Sequence, residues 1–324
     1  MRGAWFLALT VFIFVSCVTS GAGVRATGST RVPTEAPVSE PVQMPPMPKE
    51  EVGVVPVEEI VSLGEVAEPV PGGVIDWGAR VVRARGSGVV DPGDQNPARA
   101  RLMAERAAVV VAQRNLLEIL KGVRVDADTR VENFVTKFDV IYTHLEGIVK
   151  GARQVGPAQF DSARGVVEVE LEVNLVGSQS VAEALAPALG QTKTAAPEMQ
   201  AFGVREFFQK YSALVFDAGN RGLKPSLFPK IYDEAGNLLL DTKELYQYTG
   251  TTGQKVVYYI GKLDEILSRP EFANQPLVLK VKQVRGKLDA DIVLSKEDAD
   301  KLKWIKDGAR FLLDAGRLLI KLLL

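Results

Sequence analysis

The chain has 324 residues, 46% hydrophobic and 24% charged, which is enough apolar material for a core without disulfide or metal staples. With 39 basic against 40 acidic residues, its formal charge of -1 lacks the basic excess expected of a nucleic-acid-binding protein. A single cysteine, Cys17, and a single histidine, His144, exclude an internal disulfide and a tetrahedral zinc site built on Cys and His.

The first segment reads as an export signal. Arg2 supplies a short positive region, and residues 4–15 (AWFLALTVFIFV) form an apolar run broken only by Thr10. Twelve residues are too few to span about 30 Å of hydrocarbon as a helix, but they suit the hydrophobic region of a secretory signal over residues 1–16. The end of this run, Phe14-Val15-Ser16-Cys17, resembles the lipobox of bacterial lipoproteins, with Phe14 in place of the usual Leu. That resemblance implies cleavage before Cys17, a diacylglyceryl group on its sulfur, and membrane tethering by at least two acyl chains. The alternative is a plain secretory signal cleaved later, near Ala22. Val18 stands where an Asp would imply inner-membrane retention, so the outer membrane is expected.

Residues 17–73 show no helical or strand period. Half of the chain's prolines lie between Pro33 and Pro71, interspersed with Glu35, Glu40, Glu50, Glu51, Glu58, Glu59, Glu65 and Glu68. Proline and repelling carboxylates predict an extended, disordered spacer, with a proline-rich partner motif as the alternative use.

A first α+β domain is expected over residues 74–177. RVVRAR (80–85) reads as a strand. Asn96 followed by Pro97 marks a capped helix start, and the helix that follows places Met103, Ala107, Val110, Leu117 and Leu120 on one apolar stripe before Gly122 stops it. Residues 123–125 are compatible with a short strand, 132–143 with a second helix, and 147–155 with a strand. The closing strand, 166–176, alternates Val167, Val169, Leu171, Val173 and Leu175 with Glu168, Glu170, Glu172 and Asn174, one face dry and one wet. This pattern, with "NPARAR", "EGIVKGARQV" and "VEVELEVNL", resembles the Lpp-twenty lipoprotein family and is similar to the N-terminal domain of the flagellar assembly protein FlgT. The resemblance implies an envelope lipoprotein or periplasmic assembly protein, and it supplies no catalytic residue.

Residues 178–200, rich in Ala, Ser, Gln and Thr, are read as a linker, and residues 201–324 as a second α+β domain with a mainly antiparallel sheet. Residues 211–237 contain two strands and two turns; 261–267 suggest a helix, and 277–284 and 290–294 strands. Ser295 with Asp298 opens a helix to about Lys306. Asp217-Ala218, Gly222-Leu223, Pro225, Pro229-Lys230, Asp233-Glu234, Gly236 and residues 295–302 resemble a second module of secreted relatives of the same lipoproteins. Periodicity leaves residues 317–324 open between strand and helix end, and the resemblance implies a strand.

Each candidate for chemistry has a plainer use. Gly86-Ser-Gly88-Val-Val-Asp-Pro-Gly93 has the wrong third-glycine spacing for a dinucleotide loop, and Thr249-Gly-Thr-Thr-Gly253 lacks the Lys-Ser/Thr of a P-loop. The acidic groups Asp126/Asp128, Asp233/Glu234, Asp289/Asp291 and Glu297/Asp298/Asp300 lack calcium-loop spacing and suit turns and caps, although a carboxylate pair leaves glycoside hydrolysis open. His144 is read as a packed or rim residue. The run Lys280, Lys282, Arg285, Lys287 is read as a solvated strand face, with anionic cell-wall polymer as the alternative. The expectation is a non-enzymatic envelope lipoprotein with no cofactor or metal, held to the membrane at Cys17, interacting with envelope proteins and not with nucleic acid. The alternative is a binding module for cell-wall polymer or a small ligand. Partner identity, surface orientation and oligomeric state stay open.

Overall fold

The computed structural model describes residues 66–189, 211, 214–244, 257–262, 276–304 and 318–321. Cys17, the signal segment, the spacer up to residue 65 and the 249–253 loop lie outside these residues, as does all of the expected 261–267 helix beyond residue 262. All described residues fall within one compact unit, residues 51–324.

The α+β class holds, with two sheets. In chain order the first contains β1 (Ala67–Val70), β2 (Gly73–Asp76), β3 (Val81–Val89), β4 (Arg153–Gln154), β5 (Gln159–Asp161) and β6 (Val166–Asn174). Its order is β1-β2-β3-β6-β4, with β5 also on β6, and every pairing is antiparallel. Helix α1 (Pro97–Gly122) covers it, followed by α2 (Val131–Val135), α3 (Asp139–Lys150) and α4 (Val181–Leu185).

The start of α1 is fixed locally. The Asn96 side chain accepts hydrogen bonds from the backbone N–H groups of Ala98 (3.1 Å) and Arg99 (3.2 Å), and Pro97, which has no N–H to satisfy, follows it. What seats the helix is a row of small residues. Ala100, Ala104, Ala108, Ala112 and Leu116 repeat every fourth position and are buried. Facing them on β3 are Val82, Ala84, Gly86 and Gly88, so side-chain volume falls toward the N-terminal end of α1 and the two backbones converge. A Cβ on Gly86 would lie 2.2 Å from the Ala108 carbonyl oxygen, and one on Gly88 2.0 Å from that of Ala104. Gly86 and Gly88, considered for a nucleotide loop, therefore belong to a strand and serve helix–sheet contact, while Gly93 lies in the turn beyond it.

This corrects the expected stripe. Met103, Ala107 and Val110 face solvent, and Leu117 is only half-buried, whereas Leu120 is buried as expected. Larger aliphatic side chains carried more weight in the pattern than alanine did, but the close approach to β3 admits only small ones.

Three further boundaries shift. The body begins before Val74: β1 and β2 form an edge hairpin, with Pro69 on the outermost strand, where a missing N–H is tolerated. The expected strand at 147–155 is mostly α3, because Ile141, Leu145 and Val149 recur every four residues and are buried; only Arg153–Gln154 pairs as a strand. The expected linker contains α4, capped by the Ser180 hydroxyl accepting from the Glu183 N–H (3.2 Å), with Val181, Ala182, Ala184 and Leu185 buried.

The second sheet contains β7 (Leu214–Asp217), β8 (Lys230–Tyr232), β9 (Leu238–Asp241), β10 (Tyr258–Ile260), β11 (Leu277–Arg285), β12 (Asp291–Leu294) and β13 (Leu318–Lys321), with helix α5 (Lys296–Trp304). Its order is β10-β13-β7-β11-β12-β8-β9. This sheet is mixed: β11/β12 and β8/β9 are antiparallel, while β10/β13, β13/β7, β7/β11 and β12/β8 run parallel. The ambiguous tail contributes β13, a strand inside the sheet between β10 and β7.

Buried side chains of the two sheets form one continuous apolar core. The joint is the loop between α1 and α2. Its carbonyls at Arg124, Val125 and Ala127 accept from the backbone N–H groups of Leu227 (3.0 Å), Phe228 (2.8 Å) and Leu288 (2.8 Å). The Arg124 guanidinium binds both oxygens of Glu68, donates to the Pro225 carbonyl (2.6 Å) and lies 5.5 Å from the Trp77 ring centre. Trp77 donates to Glu68 (3.0 Å) and meets Tyr259 edge-on at 5.9 Å. Glu68, counted among the repelling spacer carboxylates, is thus a structural partner.

The α1–β3 contact predicts that Gly88→Ala destabilises the protein by about 2 kcal/mol or more, as expected for overpacking against backbone. Chemical denaturation of the full chain measures it; a loss below about 0.5 kcal/mol would show that the contact yields.

Candidate functional site

A concavity of about 590 Å³ lies between α3, α4 and the C-terminal end of β6, within the range of small-ligand sites. Ile148, Ala152, Val173 and Ala184 supply apolar wall, and Gly147 on α3 opens it further, since a Cβ there would meet nothing within 4 Å. His144, Arg153, Glu172, Asn174, Gln179 and Glu183 supply the polar groups.

Glu172 organises this cleft. It is buried, accepts from Arg83 Nε (2.8 Å) and Arg153 (2.5 Å), and so holds the outer part of Arg153 at the rim. Burial pushes its carboxyl pKa up, but the two guanidiniums outweigh that and hold it below the ordinary value. An ionised, doubly paired carboxylate accepts hydrogen bonds and is no proton donor near neutral pH. Thr143 donates its hydroxyl to the Asp139 carbonyl (3.1 Å), a local helix contact rather than that of an activated nucleophile. His144 is exposed on the rim. The cleft offers donors and acceptors around an apolar floor, an arrangement suited to binding.

The acidic groups are dispersed and used locally. Asp126 accepts from the N–H groups of Asp128 (3.0 Å) and Thr129 (2.9 Å) and from the Thr129 hydroxyl (2.7 Å), and pairs with Lys230 at 3.4 Å. Asp233 accepts from the Asn237 N–H (2.8 Å) and side chain (3.0 Å) and pairs with Lys303 (3.2 Å). The Asn237 hydrogen bonds and Lys303 lower its pKa to about 2. Glu234 pairs with Lys282 (3.0 Å), and the Ser295 hydroxyl caps α5 by accepting from the Asp298 N–H (3.2 Å) while donating to the Asp298 carboxylate (3.4 Å). Asp289, at φ 52°, forms the turn before β12. Lys280, Lys282, Arg285 and Lys287 are exposed, and Arg285 stacks 4.5 Å over Tyr232. Among the described residues no three His, Cys, Asp or Glu side chains converge as a metal site would need. No described helix is long and apolar enough to cross a membrane.

The remaining carboxylate of note is Asp291. It is buried at the joint, accepts from the Lys230 N–H (2.9 Å), and has Asp126 and Asp128 in its electrostatic neighbourhood. Burial raises its pKa to about 6, against the lowering effect of Lys230.

The fold built on β7–β13 has a counterpart. The family described as Treponema pallidum Tp0624, second domain, matches residues 213–322. The second sheet is similar to that domain. The match spans about a third of the chain and contains Asp217-Ala218, Pro229-Lys230 and the Ser295 cap, residues on which a second module was expected. No curated protein matches the chain.

The cleft itself was not anticipated from the sequence. Its walls come from α4 and from the end of α3, the two elements read as linker and strand, so only His144 and the β6 residues Glu172, Val173 and Asn174 had been named.

Because Asp291 has a folded pKa of about 6 against an ordinary 3.8, folding favours its protonated form. That contribution is fully present below about pH 4 and is lost as pH rises through 6. Asp291→Asn keeps an acceptor for the Lys230 N–H without the charge. It should therefore be more stable than the natural protein at pH 8, by about 3 kcal/mol, with the difference vanishing below about pH 4. Denaturation curves across this range check it, and a variant less stable at pH 8 would refute the buried-charge account.

Proposed function

We propose that this chain is a non-catalytic lipoprotein of the cell envelope, held at the outer membrane by acyl chains on Cys17, whose body serves as a structural, assembly or interaction component. The observation that carries the reading is the position of the chain's sole cysteine, after Ser16 at the end of a twelve-residue apolar run. Resemblance of the first body to the Lpp-twenty family and to the FlgT N-terminal domain supports an envelope role, with a flagellar or surface complex as the setting. The local turn, cap and ion-pair uses of the acidic groups support a non-enzymatic reading. Partners are then envelope proteins.

The cleft favours a second reading, a binding module for a small ligand or cell-wall polymer. Arg153 and Asn174 can donate, Gln179 and Glu183 can accept, and the floor is apolar. The two readings are compatible if the cleft holds a segment of the partner.

Cys17→Ser should remain at precursor mass and lose detergent-phase partitioning; a variant processed and membrane-bound like the natural protein would sink the anchor reading. The purified full chain should not hydrolyse peptidoglycan. Turnover that disappears in Asp289→Asn or Asp291→Asn would instead establish a carboxylate hydrolase.

A further inference from the structure

Helix α1 has two rows of residues at four-residue spacing. The inner row, Ala100 to Leu116, is buried on β3. The outer row, Leu102, Arg106, Val110 and Arg114, is offset by two residues, about 200° around the helix, and points away from the sheet. Met103 lies beside it. Leu102, Met103 and Val110 are 58%, 56% and 55% exposed. Packing on the sheet does not require these side chains, because the inner row already seats the helix.

The charge on this face is one-sided. Arg106 and Arg114 have no ion-pair partner among the described residues, and Arg106 rests a nitrogen 4.0 Å from Met103 Sδ. At one margin Arg101 lies 4.3 Å over the ring of Phe160, which is itself partly exposed. The helix has two carboxylates: Glu118 is held by Lys121, and Glu105 lies off the outer row. Aliphatic side chains interleaved with unpaired guanidiniums match the boundary between acyl chains and anionic headgroups. A second copy laid on the same face would bring its own Arg106 and Arg114 against these, which charge repulsion disfavours.

We propose that the outer face of α1 docks on a bilayer surface carrying anionic phospholipid headgroups. Leu102, Met103 and Val110 enter the headgroup layer, and Arg106 and Arg114 pair with its phosphates. This rests on the acyl anchor at Cys17, which lies 49 residues before Val66. Even fully extended, that length reaches about 170 Å, so the anchor confines α1 near a membrane and raises the effective concentration of the surface it meets.

The test uses the lipidated full chain. With Cys17 acylated, Val110→Cys provides a unique thiol for an environment-sensitive fluorophore, and Lys287→Cys, on an exposed turn of the second sheet, provides the control. Nitroxide-bearing lipids should quench the label at position 110 in phosphatidylethanolamine/phosphatidylglycerol vesicles but not in phosphatidylcholine vesicles, and should leave position 287 bright in both. Replacing Arg106 and Arg114 with Gln should weaken the docked state about fivefold per arginine. The proposal is overturned by absence of quenching in protein that floats with the vesicles, by equal quenching in both lipids, or by persistence in R106Q/R114Q. Concentration-dependent self-association that shields position 110 from lipid overturns it in favour of a second copy. Failure to float with phosphatidylcholine vesicles condemns the anchor alone. Flotation of that unanchored protein with the anionic vesicles then still supports the face, and its absence refutes it.

Discussion

The close approach of α1 to β3 governs how the first body is built. Gly86 and Gly88 leave room for helix backbone where any side chain would collide, and the alanines opposite let the helix descend into that room. Toward the C-terminal end the gap widens, and Leu116, Ile119 and Leu120 fill it. The loop that follows α1 meets the second body, accepting from Leu227, Phe228 and Leu288.

That loop makes the two sheets one structure rather than two beads. Its carbonyls would be costly to bury unpaired, and backbone N–H groups from the second sheet satisfy three of them. The Glu68–Arg124–Trp77–Tyr259 group closes the same seam. Burial pushes the Tyr259 hydroxyl up to about 12, so it stays protonated while donating to the Ser226 carbonyl and accepting from its N–H. The cleft lies elsewhere, between α3 and α4 at the C-terminal end of β6.

Local signals were legible in the sequence: the Asn96 cap, the alternation of β6 and the Ser295 cap each depend on neighbours a few residues away. The alternation also placed Glu172 on the wet face, but its burial between Arg83 and Arg153 depends on strands brought together by pairing. Alanine rows hid from the pattern. Ala100–Ala112 and the α4 core of Ala182 and Ala184 are weakly hydrophobic, and their burial follows from close packing rather than large apolar area. Strand direction in the second sheet was equally hidden, since side-chain alternation is the same in parallel and antiparallel neighbours. The cleft was illegible for the same reasons, its walls being the elements whose type the pattern misjudged.

The edge position of β1 has a mechanical consequence. Tension applied to the chain ahead of Val66 enters the folded body through a short strand hydrogen-bonded to a single neighbour, β2. Such a strand peels one rung at a time under load, unlike a central strand sheared along its whole length. The first strong resistance met is the grip of Arg124 on Glu68, a side-chain clasp reaching across 56 residues of sequence. Release of that clasp would free β1 while β2 stays paired with β3 and α1 stays seated on the sheet, so that moderate pulling is absorbed at the margin and the interior is spared.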